Sequence, residues 1–196
     1  MGKIIFKYGC MGAGKSLDII NTSSKLELKS IKHQVLKTGI GGKTNGKIKS
    51  RTGLEIDCRY INNKQYMFEI IDIESKFILI DESQFLTKYQ VNEIVYFANK
   101  YDITFICYGL RTDYLTNLFE GSKRLFEVAD VLEEIPMICE CGNNATVNAR
   151  LDSENNIIID ENDGQIKTRE ERKYVSMCKK CYYDKIHSQV VNFNKE

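Results

Sequence analysis

Excess charge of either sign is nearly absent: 28 basic and 27 acidic side chains leave a formal net charge of +1. That excludes a molecule-wide field of the kind that gathers nucleic acid, and any basic patch must be local. Long apolar runs are missing too. No stretch approaches the ~18 residues that a membrane-spanning helix needs, so neither nucleic acid nor membrane is an expected partner. Residues 3–8 are too few for a secretory h-region and lead straight into a glycine loop. The expected location is the cytoplasm, whose reducing conditions keep the seven cysteines free of disulfides. Histidine is scarce, and His33 and His187 stand isolated, so neither is assigned a catalytic role. Proline occurs once, at Pro136.

What is present alternates between strands and helices. Residues 3–8 are β-branched and aromatic and end at Gly9, as a buried strand closing in a tight turn does. A helix is expected from Lys15 to about residue 30, then a strand over 34–38. Residues 39–53 carry glycines, Asn45, Lys43, Lys47, Lys49 and Arg51, the composition of a mobile loop or hairpin. The apolar run 77–80, stopped by two acids, suits a central parallel strand covered on both faces. Thr87 and Gln90 fit a capping box, and Val91, Ile94, Val95 and Ala98 follow at the spacing of one helical face. Residues 103–108 form another apolar strand. Strands alternating with helices indicate a parallel sheet built from crossover units. The character changes at Pro136, where paired cysteines and short strand-like pieces replace long elements, so the chain divides into residues 1–135 and 136–196.

Gly9-Cys10-Met11-Gly12-Ala13-Gly14-Lys15-Ser16 matches GxxxxGK[ST] between the expected strand and helix. Glycines let successive N–H groups face a phosphate chain, the helix N-terminus adds partial positive charge, and Lys15 reaches the β- and γ-phosphates. Ser16 would ligate Mg²⁺. At average glycine usage a chance match in a chain this long is on the order of one per cent. Asp81 and Glu82 end the neighbouring strand, where open α/β sheets put their ligands. Asp81 is the natural partner for Mg²⁺, and Glu82 can take a proton from an attacking hydroxyl or water. The pattern implies an ATP-dependent phosphotransferase or an ATPase, depending on the acceptor.

Cys139-x-Cys141-Gly142 and Cys178-x-x-Cys181 are two close pairs separated by a segment able to fold back as a hairpin. Four thiolates suit a tetrahedral, structural Zn²⁺ with no open position for chemistry; redox thiols or coincidental spacing are the alternatives. Cys10, Cys58 and Cys107 lack paired spacing and read as small buried residues.

With these parts in hand, the chain resembles the zinc-containing cytosolic (type II) thymidine kinase family over nearly its whole length. The resemblance lies in the ordered segments GCMGAGKS, IDESQFLTKYQV, CYGLRTDYLTNLFEGS, ICECG followed by ATVNARL, and YVSMCKKCYY. It implies a P-loop NTPase-like α/β sheet flanked by helices, with a small C-terminal zinc-binding β lobe carrying a lasso loop. It also implies transfer of the γ-phosphoryl of ATP to the 5′-hydroxyl of thymidine, with Glu82 as base. The nucleotide set would be Gly9, Cys10, Met11, Gly12, Ala13, Gly14, Lys15, Ser16, Asp81 and Gln84. Phe85, Tyr114 and Phe119 would wall the base, and Tyr174 would fall on the segment closing over the nucleoside. The lasso would span residues 165–176, the assembly would be a homotetramer, and the end-product triphosphate would feed back. Two departures stand out: residues 166–171 lack the family's Gly-rich run, and Gly41-Gly42-Lys43 replaces an Asp-x-Arg. Arg51 in Ser50-Arg51-Thr52-Gly53 keeps the Ser-Arg-x-Gly pattern and is either a phosphate contact or a surface arginine. A nucleotide-switched nucleic-acid-binding ATPase using the zinc lobe and the basic loop 43–51 is the rival, and the near-neutral charge argues against it.

Overall fold

The computed structural model describes residues 1–39, 45–159 and 173–193. Two compact units divide the chain: the first holds residues 1–8, 14–111 and 119–135, the second residues 9–13, 112–118 and the chain from 136 onward. In the first unit the elements are β1 (Ile4–Tyr8), α1 (Lys15–Leu28), β2 (His33–Thr38), β3 (Asn45–Lys49) and β4 (Glu55–Ile61). They continue with β5 (Phe77–Asp81), α2 (Lys88–Tyr101), β6 (Thr104–Gly109), α3 (Glu120–Val128) and β7 (Val131–Glu134).

The seven strands form one sheet in the order β3-β4-β2-β5-β6-β1-β7. All neighbours run parallel except β3 and β4, whose antiparallel ladder makes the basic segment a hairpin turning at Gly53. Arg51 sits exposed on that turn. Because crossover helices cover both faces, β5 is apolar on consecutive residues: Ile78 and Ile80 join a core with Phe6, Leu36, Val91, Ile94, Phe97 and Leu125. Leu79 points the other way, into a core with Ile19, Leu26, Ile48, Ile106 and Tyr108. The capping box forms as read, with Thr87 Oγ1 accepting from Gln90 N–H at 3.2 Å and Gln90 Oε1 accepting from Thr87 N–H at 3.0 Å.

The second unit holds an antiparallel pair, β8 (Val147–Leu151) and β9 (Lys173–Met177), followed by α4 (Lys179–Phe193). Val147, Ala149, Leu151, Ile157 and Tyr182 form its core. α4 adds a long helix to a lobe expected to be built of short strands. Its inward residues are sparse, Tyr182 and Ile186 one turn apart, so the cysteine pair at its start obscures the helical period. Of the lasso, residues 165–172 lie outside the described residues and 173–176 belong to β9; Gly41, Gly42 and Lys43 also lie outside.

Candidate active site

The loop from Gly9 to Ser16 joins β1 to α1. Gly12 and Gly14 hold φ of 83° and 93°, the left-handed region in which a side chain is strained. A Cβ built on Gly14 would meet nothing within 4 Å, so backbone conformation alone demands glycine there, and open room lies beside it. Ala13 N–H donates to Cys10 O at 3.2 Å and closes the first turn. α1 starts at Lys15 with no side-chain cap, so its positive end faces the motif.

Asp81 ends β5 beside β2. Its Oδ1 accepts from Glu82 N–H at 2.9 Å, while Oδ2 is buried without a hydrogen bond and lies 3.6 Å from Lys37 Nζ. Burial first, and the Glu82 charge second, push the Asp81 carboxyl up to about 6; Lys37 and Lys15 pull the other way. A buried carboxylate oxygen so placed is costly unless a cation meets it. That is the donor chemistry Mg²⁺ requires.

Glu82 follows at φ 55°, a left-handed conformation in a non-glycine residue, a strain that persists where the surroundings enforce it. Here they do. The Thr38 hydroxyl donates to Glu82 O, and Gln84 Nε2 donates to Glu82 Oε2 at 2.6 Å. Gln84 Oε1 accepts from Leu110 N–H at 3.0 Å, and Ser122 Oγ donates to Leu110 O at 2.6 Å. Both ends of the Gln84 amide are thus engaged in fixing the carboxylate.

Two glycines permit this arrangement. A Cβ on Gly109 would meet Ser83 Oγ at 2.8 Å and Gln84 Oε1 at 2.9 Å; one on Gly121 would meet Ser83 O at 2.6 Å and Leu86 O at 2.7 Å. Sequence alone assigns no role to Lys37, Thr38, Gly109, Leu110, Gly121 or Ser122, although the last four lie in the segment CYGLRTDYLTNLFEGS. The available signal was a glycine ending the apolar strand β6, which marks a close backbone approach.

Phe85 and Phe119 meet edge to face at 5.7 Å in the first unit. In the second, Tyr114 is buried, with the Arg150 guanidinium 5.2 Å over its ring and Tyr182 Oη donating to its carbonyl at 3.2 Å. Tyr174 pairs with Arg150 across the β8–β9 ladder.

The ligand atoms of Cys139, Cys141, Cys178 and Cys181 all lie within 4.8 Å of one another. Tetrahedral zinc with bonds of about 2.3 Å requires sulfurs about 3.8 Å apart, so the cluster is compatible with it. Gly142, at φ 87°, turns the knuckle, and its N–H donates to Cys139 O at 2.8 Å. The Asn143 backbone N–H leads the interactions holding the Cys141 thiol below its ordinary value, and hydrogen bonding to Cys141 leads those pushing Cys181 up to about 12. Cys58 and Cys107 are buried, and burial pushes them up to about 11 and about 12, as inert thiols. Cys10 is buried against Cys139 and Cys178. His33 is structural: Nδ1 donates to Ile31 O at 3.1 Å, and Nε2 lies 2.6 Å from Ser23 Oγ.

The family model described as thymidine kinase matches residues 2–182, from before the phosphate loop to beyond the last cysteine. The chain belongs to the thymidine kinase family. Among named thymidine kinases it is similar to that of Zymomonas mobilis, 35% identical over 194 residues covering 96% of this chain and 100% of the relative. It is also similar to that of Photorhabdus laumondii, 37% identical with 95% of each chain covered. That of Shewanella oneidensis is 34% identical, with 92% of this chain and 96% of the relative covered. As a family member the chain is a phosphotransferase. No described helix is long and apolar enough to cross a membrane.

Proposed function

We propose that the protein transfers the γ-phosphoryl of ATP to the 5′-hydroxyl of thymidine, giving dTMP. One observation carries this reading: Glu82, held in a strained backbone with its carboxylate fixed by Gln84, stands next to the buried Asp81 at the end of a sheet whose β1 opens into GxxxxGKS. Lys15 and backbone amides of the Gly9–Ser16 loop, that of Met11 excepted, bind the phosphates. Ser16 and Asp81 would hold Mg²⁺, which neutralises charge on the transferring group. Glu82 takes the proton of the sugar hydroxyl as it attacks. Phe85, Tyr114, Phe119 and Tyr174 would contact the nucleoside, and zinc on the four cysteines would give a lobe with a small core its rigidity. The protein acts in the cytoplasm as a homotetramer, without a nucleic-acid partner.

The test follows ADP release from ATP with thymidine, with DNA, and with neither. Thymidine-dependent turnover is expected; DNA-dependent turnover would overturn the reading. Glu82→Gln should keep nucleotide binding and lower kcat by about 10²–10⁴-fold, the worth of a positioned base.

A further inference from the structure

The apex of the phosphate loop is tied at both ends of one peptide-bearing residue. Met11 N–H donates to Asn148 Oδ1 at 2.8 Å, and Met11 O accepts from Ser176 Oγ at 2.7 Å. Asn148 is buried on β8 and Ser176 faces it on β9, a register pair whose side chains lie 3.5 Å apart. A third tie comes from Cys10, whose Sγ–H donates to Ala145 O at 3.2 Å. Residues 9–13 belong to the same compact unit as β8 and β9.

A glycine-containing loop has many conformations to lose before its amides converge on a phosphate chain. The residue just ahead of Gly12 is pinned, so part of that entropy is lost on folding and not on binding. The Met11 N–H is also occupied, so it is not among the amides that turn to the phosphates. We infer that Asn148 and Ser176 are positioning residues for nucleotide: they clamp Met11 so that the loop is held in its phosphate-binding curl by the β8–β9 ribbon. Met11 then serves the nucleotide by being held and not by donating to it. The inference rests on the proposed nucleotide role of the loop.

The test is equilibrium binding of MgATP without nucleoside, measured on zinc-loaded protein. Asn148→Leu removes the acceptor at similar size; Ser176→Ala, the milder change, removes the donor. Each should weaken MgATP binding about tenfold, the worth of one net hydrogen bond, with four-cysteine zinc content unchanged. Ser176→Thr, which keeps the hydroxyl, should bind within about twofold of the wild type. Wild-type affinity in both Ser176→Ala and Asn148→Leu, whatever their thermal midpoints, would make the clamp merely structural and overturn the inference. A wild type that binds MgATP while the variants do not lose affinity separates that failure from failure of the loop's own assignment, in which no form binds.

Discussion

At the scale of single residues, Asp81 is held against its own solvation. Its carboxyl stands at about 6 against an ordinary 3.8, chiefly because it is buried. The folded state therefore keeps this proton more tightly than the unfolded state does, and stability is lost as pH rises from ~4 to ~6. Above that window the loss is complete. Asparagine cannot ionise, so metal-free Asp81→Asn should be more stable than the wild type at pH 7, by up to about 3 kcal/mol, with the gap closing by pH 4. Denaturant titration at the two pH values measures it, and an equal gap at both would refute the account. The same substitution should lower turnover, because the charge that costs stability is the one offered to Mg²⁺. The motif residues were legible here because local chemistry fixes them. Lys37 and Thr38 were not, because they act only through β2 lying beside β5.

At the scale of elements, α3 carries Gly121 in its first turn against the backbone of residues 83–86. Helical Gly→Ala ordinarily gains up to about 1 kcal/mol. Here the added methyl would meet Ser83 O at 2.6 Å, Leu86 O at 2.7 Å and Gln84 O at 3.0 Å, none of which can rotate away. Gly121→Ala should therefore destabilise by about 1–3 kcal/mol and displace Gln84 from Glu82, lowering kcat with zinc content unchanged. Thermal unfolding and steady-state kinetics check both, and a stabilised variant with normal kcat would contradict the packing argument. β1, α1, β2, β5, α2 and β6 were readable because their apolar patterns, and the capping box of α2, are local. β7 was not: all four of its residues are exposed, and only pairing with β1 makes them a strand.

At the scale of the whole molecule, the four cysteines come from either side of the β8–β9 pair in the chain, the knuckle before β8 and the turn into α4. Zinc there would close a long loop, and metal binding is folding free energy. Removing zinc by chelation should speed amide hydrogen exchange in β8, β9 and at Met11, while β1, β5 and β6 keep their protection. Exchange mapped by peptide with and without metal measures this. Uniform loss over both units would mean that the metal supports the entire fold.

The sequence alone determined the chemistry: a phosphate loop, an acid pair at a strand end, and four thiols with metal spacing, each written in a few contiguous residues. Backbone propensity and side-chain type suffice for that. Only the tertiary structure decided what supports the chemistry. Gln84 fixes Glu82 because α3 approaches without a side chain, and Met11 is gripped by residues 137 and 165 positions away in the chain. Such contacts depend on which elements pack together, a property of the assembled core that no local pattern encodes.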